Sequence, residues 1–233
     1  MKKLIALLLA AVLCLSLAAC GSSTDASGNN DASQTESEET KTQLSKEELL
    51  TQAKEADANN INNECYENFI KAKNDYCNQI LQLKGIIKTF GDNYVELAGF
   101  YGAQYIIDVY MPVEEMLNLQ AGQSIVVVGQ TTDEIKEETE NIAGFPWDTS
   151  HFQMPVAYLV KDTVEVEGIL KGPNTSYVPA FNIEIGGSNY LKLIYFKEDV
   201  DLNALEFGQK IKFSAKAINK NDSWEYRDAE IIE

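Results

Sequence analysis

Val164-Glu165-Val166-Glu167-Gly168-Ile169-Leu170-Lys171 alternates apolar and acidic residues around a central glycine, then ends on two aliphatics and a lysine. Alternation of this period predicts a β-strand with one buried face. An echo lies upstream in Leu81-Gln82-Leu83-Lys84-Gly85-Ile86-Ile87-Lys88. Each stretch has a companion further on, Ala121-Gly122-Gln123-Ser124-Ile125 for the first and Phe207-Gly208-Gln209-Lys210-Ile211 for the second. Gly85 and Gly122 stand 37 residues apart, Gly168 and Gly208 40. The shared order predicts two copies of one small β-domain. A glycine inside the first strand of each copy supplies the point where a strongly coiled strand can bend.

Working outward from these anchors, the first copy reads as strands over 80–89, 94–98, 105–110 and 124–130, with a turn at Gly91-Asp92-Asn93 and one or two helical turns within 112–119. A run over 154–160 closes it and passes directly into Val164. The second copy reads as 164–171, 181–185, 190–196, 210–218 and 225–232, with Gly186-Gly187-Ser188-Asn189 as a hairpin signal. Ala157-Tyr158-Leu159-Val160 matches Ala229-Glu230-Ile231-Ile232 as the closing strand. Residues 131–152 are extra to the repeat. They carry the acidic run Asp133, Glu134, Glu137, Glu138 and Glu140, followed by Gly144-Phe145-Pro146-Trp147.

Ahead of the first copy, Ser45-Lys46-Glu47-Glu48 has the form of a capping box opening a helix. Ala58-Asn59-Asn60 should weaken or break that helix. Ile61, Cys65, Phe69, Ala72 and Tyr76 then recur at steps of three and four, one face of a helix docked on something apolar. On a continuous helix Cys65 and Cys77 lie about 18 Å apart at 1.5 Å per residue. A disulfide needs Cα atoms within roughly 7 Å, so Cys65 is expected to be a buried free thiol.

The start of the chain has a different character. Met1-Lys2-Lys3 is a positive segment, and an apolar run follows from Leu4 to Leu15, too short to span a bilayer and ending in small residues. Leu17-Ala18-Ala19-Cys20 resembles the bacterial lipobox, which implies diacylglyceryl and palmitoyl attachment at Cys20 and cleavage before it. Two or more acyl chains make a stable anchor, at about 0.8 kcal/mol per buried CH₂. Gly21 to Leu44 is almost devoid of apolar residues and cannot offset its chain entropy, so it reads as a disordered tether. Its root-mean-square reach is on the order of 27 Å.

Five strands, a bent first strand and a connector between strands three and four describe an OB-fold barrel. With its preceding helix the first copy resembles the tRNA-anticodon-binding-like OB domains of bacterial lipoproteins, through Asn68-Phe69-Ile70-Lys71-Ala72, Tyr76, Leu83-Lys84-Gly85 and Ala121-Gly122-Gln123. Val166-Glu167-Gly168 and Phe207-Gly208-Gln209 carry the same resemblance in the second copy. The expected architecture is mainly β: two tandem five-stranded OB-like barrels preceded by an N-terminal helix and a disordered tether. The segments are 1–19 signal peptide, 20–44 lipidated cysteine and tether, 45–160 helix plus first OB-like domain with its insertion at 131–152, and 161–233 second OB-like domain.

The family's name implies nucleic acid, but the charge opposes it. Nineteen basic residues face 36 acidic ones, a net charge of −17, and Arg227 is the single arginine. Single-strand binding needs a basic groove with aromatic platforms. Here the outward positions of the two anchor strands are Gln82, Lys84, Glu165 and Glu167.

No catalytic set is readable and no cofactor is expected. His151 reads as a loop histidine in the acidic insertion. Asp199-Val200-Asp201-Leu202-Asn203 imitates the opening of a calcium loop, yet Ala204 and Lys210 stand where glycine and glutamate are required, so no metal ligands are assigned. The acidic run reads as a solvated face. Phe100 and Tyr101 in a glycine-flanked loop, and Phe145 and Trp147 in the insertion, are the candidate ligand-contacting residues. The sequence therefore predicts a non-catalytic, membrane-anchored extracytoplasmic module, held through the lipid on Cys20, that binds a protein or glycan. A single-stranded nucleic-acid binder is the alternative.

Overall fold

The computed structural model describes residues 43–100, 103–142, 145–177, 179–187, 190–220 and 223–232, all within the unit Gln43–Glu233. The lipobox, Cys20, nearly all of the tether and Tyr101 lie outside these residues. In chain order the elements begin with α1 (Lys46–Gln52), β1 (Lys54–Asp57), α2 (Ala58–Tyr76), β2 (Ile80–Phe90), β3 (Tyr94–Ala98), β4 (Tyr105–Tyr110), α3 (Val113–Met116) and β5 (Ser124–Gln130). A hairpin of β6 (Ile135–Ile142) and β7 (Phe145–Met154) follows, then β8 (Ala157–Lys161). The second half holds β9 (Val164–Pro173), β10 (Phe181–Ile185), β11 (Lys192–Phe196), a 3₁₀ turn at Leu202–Ala204, β12 (Lys210–Lys220) and β13 (Ser223–Ile231). Among the described residues no helix is long and apolar enough to cross a membrane.

The capping box forms: the Ser45 hydroxyl accepts from Glu48 N at 3.3 Å, and the Glu48 carboxylate accepts from Ser45 N at 2.9 Å. The expected break at Ala58-Asn59-Asn60 is instead a helix start. Asp57 Oδ1 accepts from Asn59 N at 2.8 Å and caps α2, while Lys54–Asp57 forms the short strand β1, paired parallel with β2. The helix opened at Ser45 thus ends earlier, at Gln52, and a second interruption falls inside α2 at Asn68, which has non-helical backbone angles. Its own Oδ1 accepts from Lys71 N at 3.1 Å, so the residue that breaks the first helical run caps the second. The predicted stripe is buried. Ile61, Cys65, Ala72 and Tyr76 pack with Leu83, Leu97, Ile107 and Val127, and Phe69 sits half-buried beside them. Cys65 and Cys77 are both free and buried.

Strand β2 organises the first half. On one edge it pairs with β5 throughout Ile80–Ile86; on the other it pairs with β1 up to Lys84 and with β3 from Ile86. Gly85 is the changeover, and a Cβ there would stand 3.0 Å from the Leu97 Cβ. The sheet order is β6-β7-β4-β3-β2-β5-β8, with β1 beside β2.

The first copy departs from expectation because this eight-stranded sheet is open. The insertion is the cause. Residues 131–152 are not a loop but most of the β6–β7 hairpin, and β7 runs parallel to β4 from Tyr105↔Ser150 to Val109↔Met154. The chain then bends at Pro155-Val156 and continues as β8, antiparallel to β5. One closing strand is thus split in two. Proline has no N–H to give a ladder, and hydrogen bonding between the β4 and β5 sides stops at the bend. The free edge of β8 is blunted by side chains: Glu115 accepts from Leu159 N, and the Lys46 ammonium donates to Leu159 O.

His151 also departs from expectation. It lies in β7, buried to 2% exposure. Its Nδ1 is 2.7 Å from Asp108 Oδ1 and its Nε2 3.1 Å from the Thr149 hydroxyl. Burial pushes this imidazole's pKa down, but Asp108, Glu138 and Glu96 outweigh it and the net shift is upward.

The second half closes as expected. β10-β11-β13-β12-β9 is a five-stranded barrel, with β11 and β13 parallel and the other neighbours antiparallel. Its core is Leu170, Ile183, Ile194, Phe213, Tyr226 and their neighbours. A Cβ on Gly168 would stand 2.7 Å from Ile183.

The two Gly-Gln steps make the same bonds. Gly122 N donates to Ile87 O and Gly208 N to Leu170 O, each at 2.7 Å. Ile87 N and Leu170 N return bonds of 2.9 Å to Gln123 O and Gln209 O. Each glutamine side chain accepts from the backbone three residues earlier, at 3.1 Å from Gln120 N and 3.2 Å from Glu206 N. The halves join through the first of these steps: Asn219 N donates to Gly122 O at 2.8 Å, and Gln123 Nε2 donates to Asp162 O at 2.9 Å.

Candidate functional site

The join leaves a cleft of about 550 Å³ between the first sheet and the barrel. Its floor is the bend of β2 at Lys84–Ile86. One wall is Asp57 and Asn59 with Gly99 and Phe100; the other is Val164–Val166 of β9 with Trp224 and Tyr226 of β13. A second hollow of about 310 Å³ shares Ile86, Phe100 and Asn219 with it and adds Lys88 and Lys220.

Local sequence explains the walls. A Cβ on Gly99 would come within 2.2 Å of the Asn59 Cα. Only a glycine lets the chain leaving β3 lie against the start of α2, and that contact sets Phe100 at the mouth of both hollows. Opposite, Trp224 pairs with Asn219 across the tight β12–β13 hairpin. Tyr226 is fixed edge-on to Phe213, with ring centroids 5.6 Å apart. Burial raises the Tyr226 pKa, so its phenol stays neutral. Glu165, exposed, has Lys212 at 3.7 Å and Lys161 at 3.8 Å. The cleft therefore presents aromatic rings together with carboxylate, amide and ammonium groups. Among the described residues, neither histidine nor cysteine lines it.

Of the four sequence candidates, Phe100 lines the cleft and is 39% exposed. Trp147 is 40% exposed, but it lies near the end of the β6–β7 hairpin, opposite Glu140, and is not among the cleft residues. Phe145 begins β7 and its side chain lies outside the described ones, as does all of Tyr101. The structure thus brings Phe100 together with Trp224, Tyr226, Asp57 and Asn59, which sequence reasoning did not single out. Trp224 carried a readable signal, a tryptophan opening the last strand after the polar stretch Asn219–Ser223. Asp57 and Asn59 carried none, because β1 is too short and polar to read as a strand.

A family model described as tRNA_anti-like matches residues 1–139. The match takes in α1 through β5 and the start of β6, and the closed barrel lies beyond it. No curated protein matches the chain.

Proposed function

The chain belongs to the tRNA_anti-like family, and from that premise we propose that it is a lipid-anchored extracytoplasmic binding module whose ligand seat is the cleft between the sheet and the barrel. The lipobox at Cys20 and the polar tether support the anchoring. The recurring hydrogen bonds at Gly122-Gln123 and Gly208-Gln209 support two related OB-like units, the first opened by its hairpin insertion.

The cleft itself carries the binding reading. Its volume of about 550 Å³ falls within the roughly 300–1,000 Å³ of small-molecule sites. Between a protein and a glycan, the lining favours a glycan: rings of Phe100 and Trp224 offer apolar faces for a sugar, with Asp57, Asn59 and Glu165 as hydrogen-bonding groups at its edge. Two joined walls keep the seat preformed, which lowers the ordering cost of binding. Nucleic acid fits poorly, since each wall carries a carboxylate, Asp57 on one and Glu165 on the other, and the whole chain is strongly acidic.

Two experiments test the two parts. Radiolabelled palmitate should enter the wild-type protein and not Cys20→Ala; incorporation that survives this change refutes the anchor. For the cleft, glycan retention by the full chain should fall at least about tenfold in Phe100→Ala and Trp224→Ala, as for aromatic anchors at interfaces.

A further inference from the structure

We propose that Glu96, Asp108 and His151 form a divalent transition-metal site on the face of the first sheet opposite its core, with zinc as the cation it fits best. One ligand atom from each lies within 4.8 Å of the other two, and all three residues are buried. They come from neighbouring strands: Glu96 of β3 stands directly opposite Asp108 of β4, and His151 lies on β7, parallel to β4. Fifty-five residues separate the first ligand from the last, so no spacing in the sequence announces the set.

The electrostatics call for a cation at this point. Two carboxylates directly opposite one another and shielded from water repel strongly unless positive charge lies between them. Here the Lys88 ammonium stands 3.6 Å from Glu96 Oε2, and His151 Nδ1 lies 2.7 Å from Asp108 Oδ1. A zinc ion seated between them would bring two positive charges to the two carboxylates. Its bond to Nδ1 leaves the ring proton on Nε2, facing the Thr149 hydroxyl, and the Lys88 ammonium can turn into water. Lys88 is placed for this exchange, with 24% of its side chain exposed.

The surrounding shell is already built for Nδ1 ligation. A metal-bound imidazole is oriented by a hydrogen bond from its other nitrogen. His151 Nε2 lies 3.1 Å from the Thr149 hydroxyl, which in turn donates to Glu138 O at 3.4 Å. One imidazole and two carboxylates suit Zn²⁺ with a water in the fourth position; Ca²⁺ and Mg²⁺ prefer all-oxygen sites and Cu⁺ prefers sulfur.

Equilibrium dialysis of the metal-stripped full chain against Zn²⁺, in excess Mg²⁺ to occupy surface carboxylates, tests the assignment. One tightly held equivalent is expected, lost in His151→Ala and weakened at least about tenfold in Asp108→Asn. Because those variants remove buried partners and could fail to fold, Lys88→Ala supplies the decisive sign. Deleting the competing ammonium should tighten Zn²⁺ binding about tenfold, and a Co²⁺ substitute should show a visible ligand-field band that Lys88→Ala retains and that needs at least about tenfold more Co²⁺ in Asp108→Asn. Less than one equivalent bound, binding unchanged by Asp108→Asn, or weaker binding in Lys88→Ala would each overturn it.

Discussion

Single positions decide how the two halves meet. Gly122 has φ +82°, and a Cβ there would approach the Asn219 carbonyl to 2.3 Å. Both the backbone conformation and the close approach require glycine. Gly122→Ala is expected to destabilise the protein by about 1–3 kcal/mol, read as a lower midpoint in denaturant unfolding; an unchanged midpoint would mean that the join is not tight. Cys65 is the other residue whose surroundings set its behaviour. Burial, with Cys77 and Glu64 adding to it, pushes its pKa to about 12, and Cys77 is shifted upward as well. Few thiolates exist at pH 8, and thiolate is the reactive form. Neither thiol should react with a disulfide reagent at pH 8 until denaturant is added. Rapid labelling of the native protein would contradict the buried assignment.

At the scale of elements, strands with one apolar face were legible and strands without one were not. β2, β9 and β12 alternate because one side of each packs on a core, and β5 is an apolar run buried on both faces. β6 is Ile-Lys-Glu-Glu-Thr-Glu-Asn-Ile, an edge strand whose register comes from its hairpin partner, so its composition reads as a loop. β7 hides His151 for a different reason: Phe152 and Met154 face the core, while Thr149 and His151 on the other face are buried in a polar cluster. The sequence places the break after α1 a few residues late, because Asn59 and Asn60 look disruptive, and does not show the interruption at Asn68. Only the three-dimensional arrangement shows that Asp57 caps a helix through Asn59.

One element also carries a pH signature. On β13, burial would raise the pKa of Glu225, but Arg227 at 2.9 Å and Lys220 at 3.1 Å hold it below the ordinary 4.5. A depressed carboxyl stabilises the fold above its unfolded-state pKa, and that contribution disappears as pH falls through the lower, folded value. Glu225→Gln should therefore cost stability near neutrality and nothing at a pH well below the folded value, as read by paired urea titrations. A penalty that persists undiminished in acid would place Glu225's role in packing rather than charge.

For the molecule as a whole, the mainly β architecture and the closed second barrel followed from the glycine-centred alternation. The opening of the first sheet did not, because it depends on where a proline interrupts one strand. Of the cleft, only Phe100 was visible in the sequence; its remaining walls come from residues 65 (Gly99 to Val164) to 169 (Asp57 to Tyr226) positions apart that the join at Gly122 brings together. The net charge of −17 belongs to this scale too, and predicts no retention of single-stranded oligonucleotides at micromolar protein even at low salt, where such contacts are strongest. The most direct test of the binding-module account is a glycan array probed with the full chain and with a Phe100→Ala, Trp224→Ala double variant, a single-stranded oligonucleotide being spotted alongside. The account predicts retention of the wild-type chain on a glycan, loss of that retention in the variant, and none on the oligonucleotide. Glycan retention undiminished in the variant, or capture by the oligonucleotide instead, would contradict it.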